Sequence, residues 1–250
     1  MIGVVGGVGP YSGIDLLRKV FDNTVANNDQ EHLDIVLLSM PSSIKDRTGY
    51  LMGEVKDNPG IAIAKVLLKL QASGSTIAGI PCNTAHAKEI FSTIKLELKK
   101  TEATIKVLNM IEETADFITS NHPNITEIGV LSTTGTYNSG LYTKVFQSKG
   151  YKVSVPSLNM QESLIHPAIY NQIYGIKTTS YPIHPQAREN LIKGISFLKE
   201  QGAQAVILGC TEIPLAITEK KINDILIIDP TTVLARALIR SSNPNKLKPL

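Results

Sequence analysis

The sequence predicts an α/β fold of two similar domains, each a mainly parallel sheet flanked by helices, related by a pseudo-twofold duplication. Three observations carry this expectation. Short apolar runs alternate with amphipathic stretches of helical period along the whole chain, the pattern of repeated strand-helix units. The only two cysteines, Cys82 and Cys210, each follow an apolar run, 75–80 and 205–208, of the kind that forms a strand buried on both faces. The two halves also nearly agree in spacing: Ile2 and Ile128 are 126 residues apart (128 − 2), and Cys82 and Cys210 are 128 apart (210 − 82).

Composition narrows the functional classes. At 250 residues and 42% apolar content the chain can fill one large or two small cores without covalent staples. Charged residues make up 19%, the net charge is +3, and basic residues are dispersed apart from short clusters such as Lys99-Lys100, so no nucleic-acid footprint is present. No uninterrupted apolar run reaches membrane-spanning length. Nothing at the N-terminus resembles a signal peptide, and two cysteines do not make a disulfide scaffold. The expectation is a soluble, cytoplasmic protein with both thiols reduced.

In order, residues 1–6 read as a strand entering the turn Gly6-Gly7-Val8-Gly9-Pro10, and 12–25 as a helix. Such a turn lets a ligand approach backbone N–H groups at a helix start. It is not a dinucleotide fingerprint, because Pro10 follows Gly9 and no G-x-G-x-x-G is present. Residues 35–40 form a second strand that empties into the loop 41–50, where Arg47 can either hold a substrate carboxylate in a bidentate fork or pair with Asp46 at the surface. An amphipathic helix over 61–72 leads to the Cys82 strand, and a helix over 85–99 follows it. His86 lies one helical turn beyond Cys82, placed either to touch the thiol or to cap and pack locally. Residues 105–110 read as a strand, and 111–114 open the next helix.

The pattern then restarts. Residues 127–136 repeat the opening strand and turn, with hydroxyls in place of some glycines, and 151–156 are the second strand of this half. Residues 161–174 are helical in part, 175–185 form a polar loop, and 187–201 form a helix stopped by Gly202. Residues 225–232 match 107–114 in outline. The domains are expected to be 1–114 plus 225–250, and 115–224, with the active site between them.

The chemistry is set by the thiols. A cysteine at the carboxyl end of a strand, where a helix opens, has its thiolate stabilised by backbone N–H groups and the helix dipole. One thiolate that takes a proton from a carbon, and one thiol that gives a proton to the opposite face, invert a stereocentre. The reference thiol pKa, about 8.5, is near enough to neutrality for either role. His32, His86, His122, His166 and His184 show no metal-ligand spacing, and no lysine motif for a pyridoxal Schiff base is evident.

Taken together, Gly6-Gly7-Val8-Gly9-Pro10, Asp46-Arg47-Thr48, Pro81-Cys82-Asn83-Thr84-Ala85-His86, Ile111-Glu112-Glu113-Thr114, Thr133-Thr134-Gly135-Thr136 and Gly209-Cys210-Thr211-Glu212 resemble the cofactor-independent aspartate/glutamate racemase family. The resemblance covers nearly the whole chain. It implies two similar α/β domains, no pyridoxal phosphate or other cofactor, no metal, a small amino-acid substrate and a homodimer. Carried over by position, Cys82 and Cys210 match the catalytic acid/base pair, Cys82 working on the proton of the D-isomer and Cys210 on that of the L-isomer. Asn83, Thr84, Thr133, Thr134 and Thr211 match positions that hold the α-carboxylate and ammonium group. Arg47 matches the arginine that meets the side-chain carboxylate, and Gly7, His86 and Glu212 stand behind these. One departure concerns substrate: 159–163 lacks a lysine that aspartate racemases place near it, and Glu162 falls close to that position.

The expected function is interconversion of L- and D-aspartate, with glutamate second. A broad-specificity amino-acid racemase is the near alternative, and a maleate-isomerase-like enzyme using one cysteine as nucleophile is another. A two-lobed amino-acid-binding module whose cysteines only pack is the non-enzymatic alternative.

Overall fold

The computed structural model describes residues 1–250, which divide into two units, Met1–Glu113 with Thr231–Leu250, and Thr114–Pro230. In the first unit β1 (Ile2–Gly6), β2 (Ile35–Ser39), β3 (Ile77–Gly79) and β4 (Lys106–Val107) form a fully parallel sheet in the order β2-β1-β3-β4. Helices Pro10–Asp22, Pro59–Ala72 and Lys88–Lys100 follow the first three strands. The side-chain alternation of β1 shows why both faces must be covered. Ile2 and Val4 pack with Leu16, Val20, Leu234 and Leu238, whereas Val5 packs with Ile63, Leu67, Leu70 and Ile90. A parallel sheet with apolar residues on both faces is stable only between two layers of helix.

In the second unit β5 (Glu127–Ser132), β6 (Lys152–Ser154), β7 (Ala205–Gly209), β8 (Lys221–Ile222) and β9 (Ile225–Ile228) take the order β6-β5-β7-β9-β8. All pairs are parallel except β8 with β9. Strands β6, β5, β7 and β9 therefore occupy the same places as β2, β1, β3 and β4, so the repeat read in the sequence is a repeat of whole sheets. One face of this sheet carries Leu131, Val206 and Leu208 against Ile165, Ile169, Leu191 and Ile195. Elsewhere in this unit the fully buried Phe146 packs against Tyr142 and Tyr151, with ring centroids 5.8 Å and 5.5 Å away.

Three expectations are corrected. The chain does not return to the first unit at residue 225: Ile225–Ile228 is a short apolar strand that pairs with β7 in the second sheet, and its Ile225 and Ile227 sit in that unit's core. The return comes at Thr231. Three helices also begin two residues earlier than their periodicity indicates, at Pro10, Pro59 and Pro185 rather than 12, 61 and 187, each with proline in its first turn. Proline suits that position because its φ is already helical and the N–H it lacks would have had no partner. Residues 41–50, read as a loop, contain a 3-10 turn, Pro41–Ser43, and the start of a short helix, Arg47–Leu51.

Candidate active site

Each cysteine ends a buried alternation. Ala78, Ile80 and Cys82 share one core cluster, and Val206, Leu208 and Cys210 share another. Both thiols are reduced and buried. The approach to Cys210 is especially close: a Cβ on Gly209 would lie 2.9 Å from the Leu131 carbonyl oxygen, so glycine is needed for β7 and β5 to meet there.

The helical segment after each thiol is shorter than the sequence implies. Cys82 is succeeded by a 3-10 turn, Asn83–His86, and the α-helix starts only at Lys88. Cys210 is succeeded by the single turn Ile213–Ala216. Neither sulfur sits at the head of a long helix, so the helix dipole contributes little there. At Cys210 the balance runs towards the thiol. Burial pushes its pKa well above the usual cysteine value, and the Glu212 carboxylate pushes it the same way, against the opposing pull of Lys177 and of the Glu212 N–H. The thiol donates to Glu212 Oε2 at 3.0 Å.

His86 is a packing group. Its Nε2 lies 3.2 Å from the Ile80 carbonyl oxygen and its ring 5.0 Å from Phe91. Burial lowers its pKa to about 4, so the ring is neutral near pH 7; Nε2–H then donates to Ile80 rather than serving the thiol.

Arg47 is not a surface arginine. It is buried, and its guanidinium donates to the carbonyl oxygens of Val8 (2.5 Å) and Lys45 (3.3 Å). Asp46 does not pair with it but caps the Arg47–Leu51 helix through Gly49 N–H at 2.6 Å. Arg47 is thus tied to the glycine-rich turn. Gly7 in that turn has φ 82° and would place a Cβ 2.6 Å from Pro41 N, a crossing only glycine permits.

In the second unit Thr133 caps the Thr134–Ser139 helix, accepting from Thr136 N–H at 3.3 Å. Thr134 Oγ1 bonds His166 Nδ1 at 2.9 Å. Thr211 Oγ1 donates to Glu212 Oε2 at 3.3 Å. Asn83, Thr84, Thr133 and Thr211 are all buried. In the first unit the structure joins Gly7 and Arg47 through the turn at Val8, and in the second it joins Cys210, Thr211 and Glu212.

Three residues escape the sequence reading. Gln161, fully buried, donates from Nε2 to the Ser132 carbonyl at 3.1 Å, which fixes its amide and leaves its buried Oε1 without a donor. It opens a π-helical turn, Gln161–Ile165, a deviation that often marks functional sites. Its neighbour Glu162 is exposed. His166 stacks on Tyr170 with centroids 4.9 Å apart, and Lys177 pairs with Glu212 at 2.5 Å. No cluster of three or more His, Cys, Asp or Glu side chains has the arrangement of a metal site.

The chain resembles known proteins over almost its full length. It is 28% identical over 244 residues to the broad specificity amino-acid racemase RacX of Bacillus subtilis, covering 96% of each chain. Among solved structures it matches the Picrophilus torridus aspartate racemase with a TM-score of 0.78 and 29% identity, over 99% of this chain and 95% of that one. The Francisella tularensis glutamate racemase, solved with D-glutamate, shares the fold with a TM-score of 0.61 at 21% identity, over 99% of this chain and 82% of that one. The sequence model of the Asp/Glu/Hydantoin racemase family matches residues 5–238, a span that takes in both cysteines and every strand except the start of β1. This chain belongs to that family and is an amino-acid racemase, an isomerase.

Proposed function

We propose that the enzyme interconverts L- and D-aspartate, with glutamate second, by proton transfer between Cys82 and Cys210 and without a cofactor. The observation that carries this reading is the matched setting of the two thiols, each the last member of a buried alternation at the end of the third strand of its sheet. One thiolate removes the Cα proton, the electron pair is delocalised into the α-carboxylate, and the other thiol delivers its proton to the opposite face of Cα. Hydroxyl and amide donors from Asn83, Thr84, Thr133, Thr134 and Thr211 hold the α-carboxylate and ammonium group and stabilise the charge that builds as the proton leaves. Arg47 holds the distal carboxylate. Gly7 shapes the turn that Arg47 grips, His86 packs behind Cys82, and Glu212 supports Cys210. By the same resemblance, Cys82 serves the D-isomer and Cys210 the L-isomer.

A second reading, a broad-specificity amino-acid racemase, is favoured by the full-length similarity to RacX and by the absence of any lysine or arginine from the segment 159–163, which leaves that segment without a second cation for an acidic side chain. The deciding experiment incubates purified protein with a panel of L-amino acids in deuterated water, without added cofactor, and follows products by chiral chromatography and mass. Aspartate turnover with deuterium at Cα, abolished in both Cys82→Ser and Cys210→Ser, is the expected result. Near-normal racemisation by either variant would end the two-thiol reading, and equal turnover of neutral amino acids would select the broad-specificity one. We further propose a homodimeric, cytoplasmic enzyme, to be checked by light scattering and cell fractionation; no helix is long and apolar enough to cross a membrane.

A further inference from the structure

Arg47 sits on a helix too short to hold itself in place. The Arg47–Leu51 helix has five residues, fewer than backbone bonding alone can keep helical in water, so contacts from outside decide where it lies. At its start Asp46 caps Gly49 N–H at 2.6 Å, and the Arg47 guanidinium grips the turn at Val8. Towards its end the Tyr50 hydroxyl accepts from Asn58 Nδ2 at 3.0 Å. Asn58 is itself firmly held. Its Oδ1 accepts from Gly60 N–H at 2.8 Å, capping the Pro59–Ala72 helix. Its Nδ2 also lies 2.9 Å from Thr93 Oγ1 and 3.1 Å from the Glu89 carbonyl oxygen, both on the Lys88–Lys100 helix. A flipped amide would set NH2 against Gly60 N–H, so the orientation is fixed. The two long helices meet tightly beside it: a Cβ on Gly60 would lie 2.6 Å from the Ile90 carbonyl oxygen.

We propose that Asn58 is a positioning residue for Arg47: through Tyr50 it fixes the Arg47–Leu51 helix to the packed helices Pro59–Ala72 and Lys88–Lys100, and so sets the preference for a substrate with a distal carboxylate. This rests on Arg47 meeting that carboxylate. The short helix also lies against the Asn83–His86 turn that follows Cys82, and the Lys88–Lys100 helix continues from that same turn. The tether therefore registers Arg47 and Cys82 against one support. A guanidinium fork gains from exact placement more than a point charge does, because its two parallel bonds must form together. Slack in the short helix weakens the grip on the distal carboxylate and leaves the thiol and the groups around the α-carboxylate where they were.

Two variants divide the tether. Tyr50→Phe removes only the hydroxyl, and Asn58→Ser keeps an oxygen to cap Gly60 N–H while removing the amide donor. Hydrogen exchange read by mass spectrometry reports on the helix without turnover. Exchange over 47–51 should quicken about three- to tenfold in both variants, the effect of one neutral hydrogen bond, with the two long helices unchanged. The KM for aspartate should rise by a similar factor while kcat stays within about twofold. The double variant should be no worse than either single one, because both break one contact. A merely structural Asn58 would lower Tm and kcat, keep KM, and add its effect to that of Tyr50→Phe. Exchange as in the wild type in both variants overturns the proposal, and so does an aspartate KM that they leave unmoved while Arg47→Ala raises it. If Arg47→Ala itself leaves that KM unchanged, the assignment of Arg47 to the distal carboxylate is what fails, and quickened exchange at 47–51 keeps Asn58 as the residue that holds the helix.

Discussion

Replacing His86 by glutamine should change how this protein responds to acid. The ring is buried with Nε2 on the Ile80 carbonyl, and burial is the main reason its pKa falls from 6.5 to about 4. In the unfolded chain the same imidazole titrates near its ordinary value, so between these two values the unfolded state binds the extra proton and the folded state does not. The native form thus keeps this contribution above about pH 6.5 and loses it as pH falls towards 4. With one pH unit worth 1.36 kcal/mol, the loss between pH 7 and pH 4.5 is about 2 kcal/mol. Glutamine can keep a donor for the Ile80 carbonyl but has no proton to gain. Urea unfolding of both proteins at the two pH values isolates the effect, because every other titrating group cancels in the difference. The stability gap between wild type and His86→Gln should shift by about 2 kcal/mol in favour of the variant at pH 4.5. A gap that stays constant across that range would refute the placement of a neutral, solvent-free imidazole.

Other changes probe the remaining features. Gly7→Ala should destabilise the first unit by roughly 1–3 kcal/mol, seen as a lower Tm, since the residue has φ 82° and a Cβ there would collide with Pro41; an unchanged Tm would mean the turn relaxes freely. Arg47→Lys should raise KM for aspartate by a factor on the order of ten, because an ammonium cannot both replace the fork on Val8 and Lys45 and meet a planar carboxylate; unaltered kinetics would confine Arg47 to holding the turn. Activity should survive chelators and hydroxylamine and be lost to iodoacetamide, and the reverse pattern would point away from thiol chemistry.

The fold is legible because both halves repeat the same strands. Each cysteine closes a two-residue alternation that a parallel strand imposes on its sequence, so the strand and its end are visible together. The boundary expected at 225 is misplaced because it sends the last strand back to the first unit along with the helix behind it, although the likeness of 225–232 to 107–114 already marks Ile225–Ile228 as the fourth strand of the second sheet. The polar surroundings of the thiols are harder to read. Arg47 has the same sequence neighbours whether it lies at the surface or is clamped on Val8. Gln161 and Glu162 are adjacent polar residues, and only the orientation of the helical backbone decides that the first is buried and the second exposed. Lys177 reaches Glu212 across 35 residues of chain from a segment with no periodicity, so nothing local in the sequence announces the contact.

The discontinuous first unit also sets the order in which the protein can be made. Leu234, Ala235, Leu238 and Ile239 fill one face of its core, and Val25 N–H bonds the Lys246 carbonyl at 2.7 Å beside the bridge between Thr24 and Leu247. During synthesis the sheet that emerges first therefore waits, with Ile2, Val4 and Val20 covered only in part, until the last segment arrives. The stretch Thr114–Pro230 is continuous and can close on its own in the meantime. The nascent chain is consequently most exposed to aggregation and to chaperone capture at its N-terminal sheet, and a stop codon before Leu234 would leave the second unit's core intact while unravelling the half that was translated first.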